Sequence, residues 1–216
     1  MKEVTRGACL ALPFAAADAV DGAAFGAIAA GIGLGVVAPT AMSLIAFSGS
    51  AQFAALTVLT QHGGIFSVVV AVVALNARYI AYGLSIAPAL SRNPLKRLAQ
   101  TQLLTDVSWN LAMNETRPNA KILVGAGFVE LVAWTVGTGI GAVAGNLLGS
   151  YRGTGLDAAL PTFFACLVIE RLRGDRRQLA AIATAVLAVV LLGLVLPAGV
   201  PLGLVLVGAF LLGPRP

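Results

Sequence analysis

From Ile65 to Leu90 the chain runs 26 residues with a single charged side chain, Arg78. A helix rises about 1.5 Å per residue, so about 20 apolar residues cross the roughly 30 Å hydrocarbon layer of a bilayer. This stretch is long enough to cross and tilt, and it has company. Across 216 residues hydrophobic side chains make up 58% and charged ones 11%, against about 25% charged in soluble domains. So few charges cannot cover that much apolar surface in water. The composition speaks against soluble enzymes, nucleic-acid binders and disordered tails, and for an all-α, polytopic membrane bundle. The net charge of +5 has the same explanation. Basic residues gather at ends and loops (Lys2, Arg6; Arg92, Lys96, Arg97; Arg171, Arg173, Arg176, Arg177), as the positive-inside bias requires, with no aromatic-interleaved patch for bases.

The apolar blocks are Gly7–Val37, Thr40–His62, Ile65–Leu90, Ile122–Leu148, Leu156–Leu172, Ala180–Leu196 and Val200–Leu212. They predict about seven crossings, within a range of six to eight, in a single domain over 1–216. The basic loops 92–97 and 171–177 are both expected in the cytoplasm, so an even number of crossings separates them. Residues 98–116 are amphipathic and are expected to lie at the interface or to half-insert. Lys2, Arg6 and the apolar Ala8–Ala17 imitate a signal peptide but read as an uncleaved first segment. Cys9 and Cys166 read as small core residues, without metal or disulfide spacing.

Gly137, Gly141, Gly145 and Gly149 recur every fourth residue, and Gly22, Gly26 and Ala30 do the same. Such stripes let membrane helices approach closely. A common offset relates Gly26 to Gly137 and Phe53-Ala54-Ala55-Leu56 to Phe164-Ala165-Cys166-Leu167. Weak pseudo-repeats at 7–97 and 121–213 are one explanation, and chance in a sequence rich in alanine and glycine is the other.

Polar chemistry concentrates in three places. Ser48, Gly49, Ser50 and Gln52 predict a broken helix near residues 48–52, whose freed backbone N–H groups attract a carboxylate; the alternative is a kink with hydroxyls bonded to their own helix. Asn76, Arg78 and Tyr79 stand in mid-block, where a charge costs at least about 2.5–3.5 kcal/mol and must face a partner or a cavity. Tyr82 and Ser85 share the Arg78 face. A substrate contact and a structural ion pair are both open for Arg78. The acids Asp106, Asp157, Asp21 and Glu130, with Asp18, are candidates for its counter-ion or for ion coupling. Asp157 also suits a helix cap, and Asp18 and Asp21 equally suit hydration near a membrane face. A Ser50–His62 dyad would be about 18 Å apart along one helix. No catalytic residue, cofactor or metal is expected.

Phe47-Ser48-Gly49-Ser50-Ala51-Gln52-Phe53, Asn76-Ala77-Arg78-Tyr79, Ser85-Ile86-Ala87-Pro88, Thr105-Asp106, and Leu156-Asp157 with Leu160-Pro161 and Phe163-Phe164 together resemble the AzlC-type large subunits of bacterial branched-chain amino-acid exporters. Their order and spacing fit over nearly the whole chain. Val107 stands where that pattern has a second acid, Ala158 where an aromatic is usual, and Asp18 and Asp21 where apolar residues and proline are usual. The resemblance implies a multi-pass secondary transporter of the cytoplasmic (inner) membrane. It would export valine, leucine, isoleucine or other hydrophobic amino acids with a small AzlD-type membrane subunit, and a higher oligomer is compatible with it. The other class of function open to the residues is a non-transporting scaffold or assembly subunit whose glycine stripes serve only to dock partners. A pore-like channel ranks third.

Overall fold

Helices are the only regular elements among the described residues, because in lipid every backbone N–H and C=O must be satisfied within its own segment or a closed barrel. The computed structural model describes residues 1–61 and 63–148. His62, Gly149, Asp157, Cys166, the basic loop 171–177 and the last three expected crossings lie outside them. Eight α-helices follow one another: α1 (Lys2–Ala29), α2 (Val37–Ala46), α3 (Gly49–Thr60), α4 (Ile65–Asn76), α5 (Arg78–Ile86), α6 (Pro94–Gln102), α7 (Asp106–Met113) and α8 (Ala120–Leu148). Three stretches are long and apolar enough to cross a membrane: Lys2–Leu34, Ile65–Ala89 and Ala120–Leu147. The described residues form two compact units, one made of Met1–Gly49 with the residues from Ala77 onward, the other of Ser50–Asn76.

The first unit is built on α1 and α8. Added Cβ atoms on Gly7, Gly22 and Gly26 of α1 would strike backbone of Ile122, Trp134 and Thr138. On Gly125, Gly137, Gly141 and Gly145 of α8 they would strike Val4, Ala19, Ala23 and Ala27. Contacts advance in the same sense along both helices, so they run parallel, each glycine stripe seated on the other's backbone. Dispersion between closely packed backbones is the main attraction left in lipid, where apolar burial drives nothing. Among the described residues these stripe glycines are packed inside the chain, α1 against α8.

Asp18 and Asp21 do not interrupt α1; they sit in the middle of the Lys2–Leu34 stretch. The helix ends through a π-turn, Ala30–Leu34. Gly33 (φ 92°) and Gly35 (φ 65°) then take positive φ, which a side chain would oppose. Cys9 is exposed on α1, not a core residue, because the outer face of such a helix is apolar for contact with lipid.

The amino ends of α1 and α8 lie side by side. Arg6 pairs with Glu115 at 2.9 Å, and Asn119 donates to Glu3. Leu90, just past α5, joins the buried cluster of Ile86, Leu104, Ala112, Ala120 and Leu123, so α5 also finishes at this end. Four residues later α6 begins, its first turn capped by Asn93. It leads to a tip at Leu103–Thr105, where Leu103 meets Gly127 and Thr105 meets Glu130. From there α7 returns until Ala112 accepts from the Asn119 N–H at 3.1 Å. Residues 98–116 are thus a fold-back hairpin, reaching about 15 Å along α8 at about 1.5 Å per residue. Of the described Lys and Arg residues, all except Arg78 belong to this end: Lys2, Arg6, Arg92, Lys96, Arg97, Arg117 and Lys121.

From the opposite end comes α2. Ser43 Oγ lies 2.9 Å from Thr138 Oγ1 and accepts from Trp134 Nε1 at 3.1 Å, while Thr138 Oγ1 donates to the Trp134 carbonyl at 2.8 Å. Ser43 and Thr138 are fully buried. Thr138→Val keeps the shape and removes the hydroxyl; about 1–2 kcal/mol of stability should be lost, the upper range for interhelical hydrogen bonds in membranes. Thermal unfolding in detergent reads this, and an unchanged midpoint would show that α2 is held by packing alone.

The helix does break near the expected place. Phe47 closes α2 in the left-handed region (φ 36°, ψ 54°), a strained conformation for a bulky side chain. The break falls at Phe47–Ser48, and residues 50–52 are already inside α3. Gly49 is helical, and its glycine is required for space: an added Cβ would stand 2.7 Å from Trp134 Cη2.

In the second unit α3 and α4 share a small apolar core of Ala54, Val58 and Ala71, flanked by Val68 and Leu75.

Candidate functional site

Helical spacing sets Arg78, Tyr82 and Ser85 on one face of α5, and α7 meets that face. Arg78 Nη2 lies 2.9 Å from Asp106 Oδ2. Tyr82 donates its hydroxyl to the other oxygen, Oδ1, at 2.9 Å. The Tyr82 ring stacks on Trp109 at 4.3 Å between centroids, 13° from parallel. Trp109 Nε1 in turn donates to Ser85 Oγ at 2.8 Å, and Ser85 donates to the Tyr82 carbonyl at 2.8 Å. Tyr79 packs edge-on against Tyr82 at 5.9 Å and carries the Arg78 guanidinium over its ring at 5.2 Å. Its hydroxyl is within hydrogen-bonding reach of Ser48.

The position of Asp106 follows from local sequence. Thr105 caps α7 by accepting from Ser108 N at 2.9 Å, and Ser108 Oγ accepts from Thr105 N at 2.8 Å. Asp106 is therefore the first helical residue, where the exposed N–H groups and the helix dipole favour an anion. The same Thr105 hydroxyl donates to Glu130 Oε2 at 2.8 Å. Glu130, only 2% exposed, lies about 6 Å from the middle of α8, by the helical rise. The pair therefore sits deep in the first unit.

Depth does not bury it. The Arg78 and Asp106 side chains remain 38% and 46% exposed, whereas Ser48 beside Tyr79 is buried. Gln102, at the tip of α6, donates to the Ile45 carbonyl at 2.8 Å and so satisfies the end of α2. Two half-length pieces, α2 from one end and the α6–α7 hairpin from the other, thus stop beside the same ion pair.

Among the sequence candidates, Ser48, Gly49, Arg78, Tyr79, Asp106, Asp21 and Glu130 belong to this unit. Ser50, Gln52 and Asn76 belong to the second, with Ser50 and Gln52 buried in α3; Asp157 lies outside the described residues. Asp106 is the acid that pairs with Arg78, Glu130 is tied to Thr105, and Asp18 and Asp21 take no part in the pair. Sequence reasoning placed Tyr82 and Ser85 correctly but overlooked Trp109, although its i+3 spacing from Asp106 was available. Among the described residues no group of three His, Cys, Asp or Glu side chains is placed to hold a metal ion.

The AzlC protein family matches residues 13–148, more than half of the chain and all of the site just described. The chain belongs to the AzlC family. Relatives of this AzlC-family chain include an uncharacterized membrane protein of Archaeoglobus fulgidus, 31% identical over 75% of this chain and 73% of the relative. A second uncharacterized membrane protein, from Helicobacter pylori, is 25% identical over 71% and 68%. The branched-chain amino acid transport protein AzlC of Bacillus subtilis is 25% identical over 74% and 65%. No solved structure matches the chain. Membership of AzlC, relatives that are membrane proteins and three apolar helices of spanning length make this a membrane protein.

Proposed function

We propose that this AzlC-family chain is the large subunit of a secondary transporter. It exports branched-chain or other hydrophobic amino acids across the bacterial cytoplasmic membrane together with a small AzlD-type membrane subunit. The observation that carries the reading is the Arg78–Asp106 pair, accessible at depth and walled by Tyr79, Tyr82 and Trp109. A cation and an anion side by side suit a zwitterion, and the aromatic faces suit an aliphatic side chain. The name of the Bacillus subtilis relative supports the substrate class. Ser48 and Gly49 contribute the broken-helix side of the site, and Ser50, Gln52 and Asn76 of the second unit remain candidates for substrate contact. The whole chain works as one multi-pass domain of pseudo-repeats 7–97 and 121–213, with Asp157 and Asp21 as further coupling candidates.

Cells loaded with a leucine-containing dipeptide, with and without an AzlD-type partner, provide the test. Leucine should leave faster when this chain is present. Unchanged efflux of every aliphatic amino acid, with the protein in the membrane, would remove the transport reading and favour an assembly role.

The cluster of basic residues at one end also supports an orientation in which that end faces the cytoplasm. Leu95→Cys and Thr116→Cys, each in a cysteine-free background, should react with an impermeant maleimide in inside-out vesicles only. Labelling in intact cells would reverse the assignment.

A further inference from the structure

Resting on that transport reading, we propose that Arg78 and Asp106 are the two halves of a zwitterion site that occupy one another when it is empty. A free α-amino acid opens the pair by exchange, its carboxylate taking Arg78 and its α-ammonium taking Asp106. Access comes first: both members stay more than a third exposed although the atoms that position them are packed, so a ligand reaches both. Retention of geometry comes second. Asp106 Oδ1 is held by Tyr82, which is stacked on Trp109 and braced through Ser85. Arg78 bonds the other oxygen, Oδ2. Departure of the guanidinium therefore leaves the carboxylate aimed, while the Tyr79 ring continues to face the guanidinium.

Charge balance comes third and sets the substrate class. The pair is neutral and a zwitterion is neutral, so exchange leaves no unmatched charge at a depth where one is costly. A ligand with only one of the two charges would free one member and strand the other. The site therefore takes α-amino acids with both groups free and rejects amides, simple carboxylic acids and amines of the same carbon skeleton.

The test is competition against radiolabelled leucine, using the full chain co-purified with an AzlD-type partner in nanodiscs. Leucinamide lacks the carboxylate and 4-methylpentanoate lacks the ammonium; each should compete at least about 100-fold more weakly than leucine, as expected for a desolvated charge left unpaired. Arg78→Gln should erase the preference for leucine over leucinamide but keep that over 4-methylpentanoate. Asp106→Asn should do the reverse. Arg78→Lys, which keeps the charge and loses the planar fork, should retain part of the carboxylate preference. Equal competition by either analogue at the wild-type site overturns the exchange, and so do well-folded variants that discriminate as the wild type does; in both cases leucine transport itself would stand. Should the variants fail to fold, the wild-type analogue series decides alone. Wild-type protein that binds no aliphatic amino acid overturns both the exchange and the transport reading.

Discussion

Arg78→Gln is expected to lower both the stability of the protein and its amino-acid efflux, and adding Asp106→Asn is expected to restore the first without the second. The single change leaves a carboxylate at a depth where an unmatched charge costs at least about 2.5–3.5 kcal/mol. The pair is partly exposed and Tyr82 still bonds Asp106, so a loss of about 1–3 kcal/mol is the sensible range, screened relative to a dry interior. At about 2–4 °C per kcal/mol for a chain of this size, the midpoint should fall by several degrees. The double variant removes both charges and should recover most of it, as paired removal of buried ions commonly does. Efflux of dipeptide-derived leucine should stay at least about 100-fold below wild type in both, because the single variant lacks one charge-assisted contact to the substrate and the double variant lacks two. Full efflux in the double variant would make the pair a structural device only.

The second large effect lies in the α1–α8 contact. A side chain at Gly141 would overlap the backbone of Ala23, which cannot rotate away as a flexible side chain can. Gly141→Leu should exceed the about 1–3 kcal/mol typical of overpacking and leave little monodisperse protein after extraction. Gly139, two residues along, is the control: an added Cβ would meet only the Thr40 side chain, at 3.7 Å. Gly139→Ala should be neutral or slightly stabilising, since glycine costs a helix about 1 kcal/mol relative to alanine. Size-exclusion profiles and thermal unfolding compare the two. Equal behaviour of both variants would mean that α1 and α8 separate easily.

Much of this arrangement was legible locally. The apolar runs located the helices, helical spacing placed Tyr82 and Ser85 with Arg78, and Ser48-Gly49 announced a break. What escaped the sequence depends on which helices become neighbours. Asp106, Asp21, Glu130 and Asp157 were all open as counter-ions for Arg78, and only the return of α7 along α8 singles out Asp106. The tie between Thr105 and Glu130 spans 25 residues and has no periodic signature. Gly49 looked like the cause of the break, yet Phe47 takes the left-handed turn, and Gly49 instead makes room for the Trp134 ring. The glycine stripes announced close packing but not that each would be the other's partner, nor that the two helices run parallel.

That parallel pairing has a consequence for synthesis. The stripe of α1 is complete once Ala29 has been made, but its complement begins only at Ala120. At about 5–20 residues per second, α1 waits roughly 5–20 s for α8. During that interval its notched face, with Asp18 and Asp21 on the same helix, must be sheltered by the insertion machinery or by lipid. Helix α1 is therefore locked in place only well after it has been made, and a nascent chain arrested before Ala120 leaves that notched face without its complement.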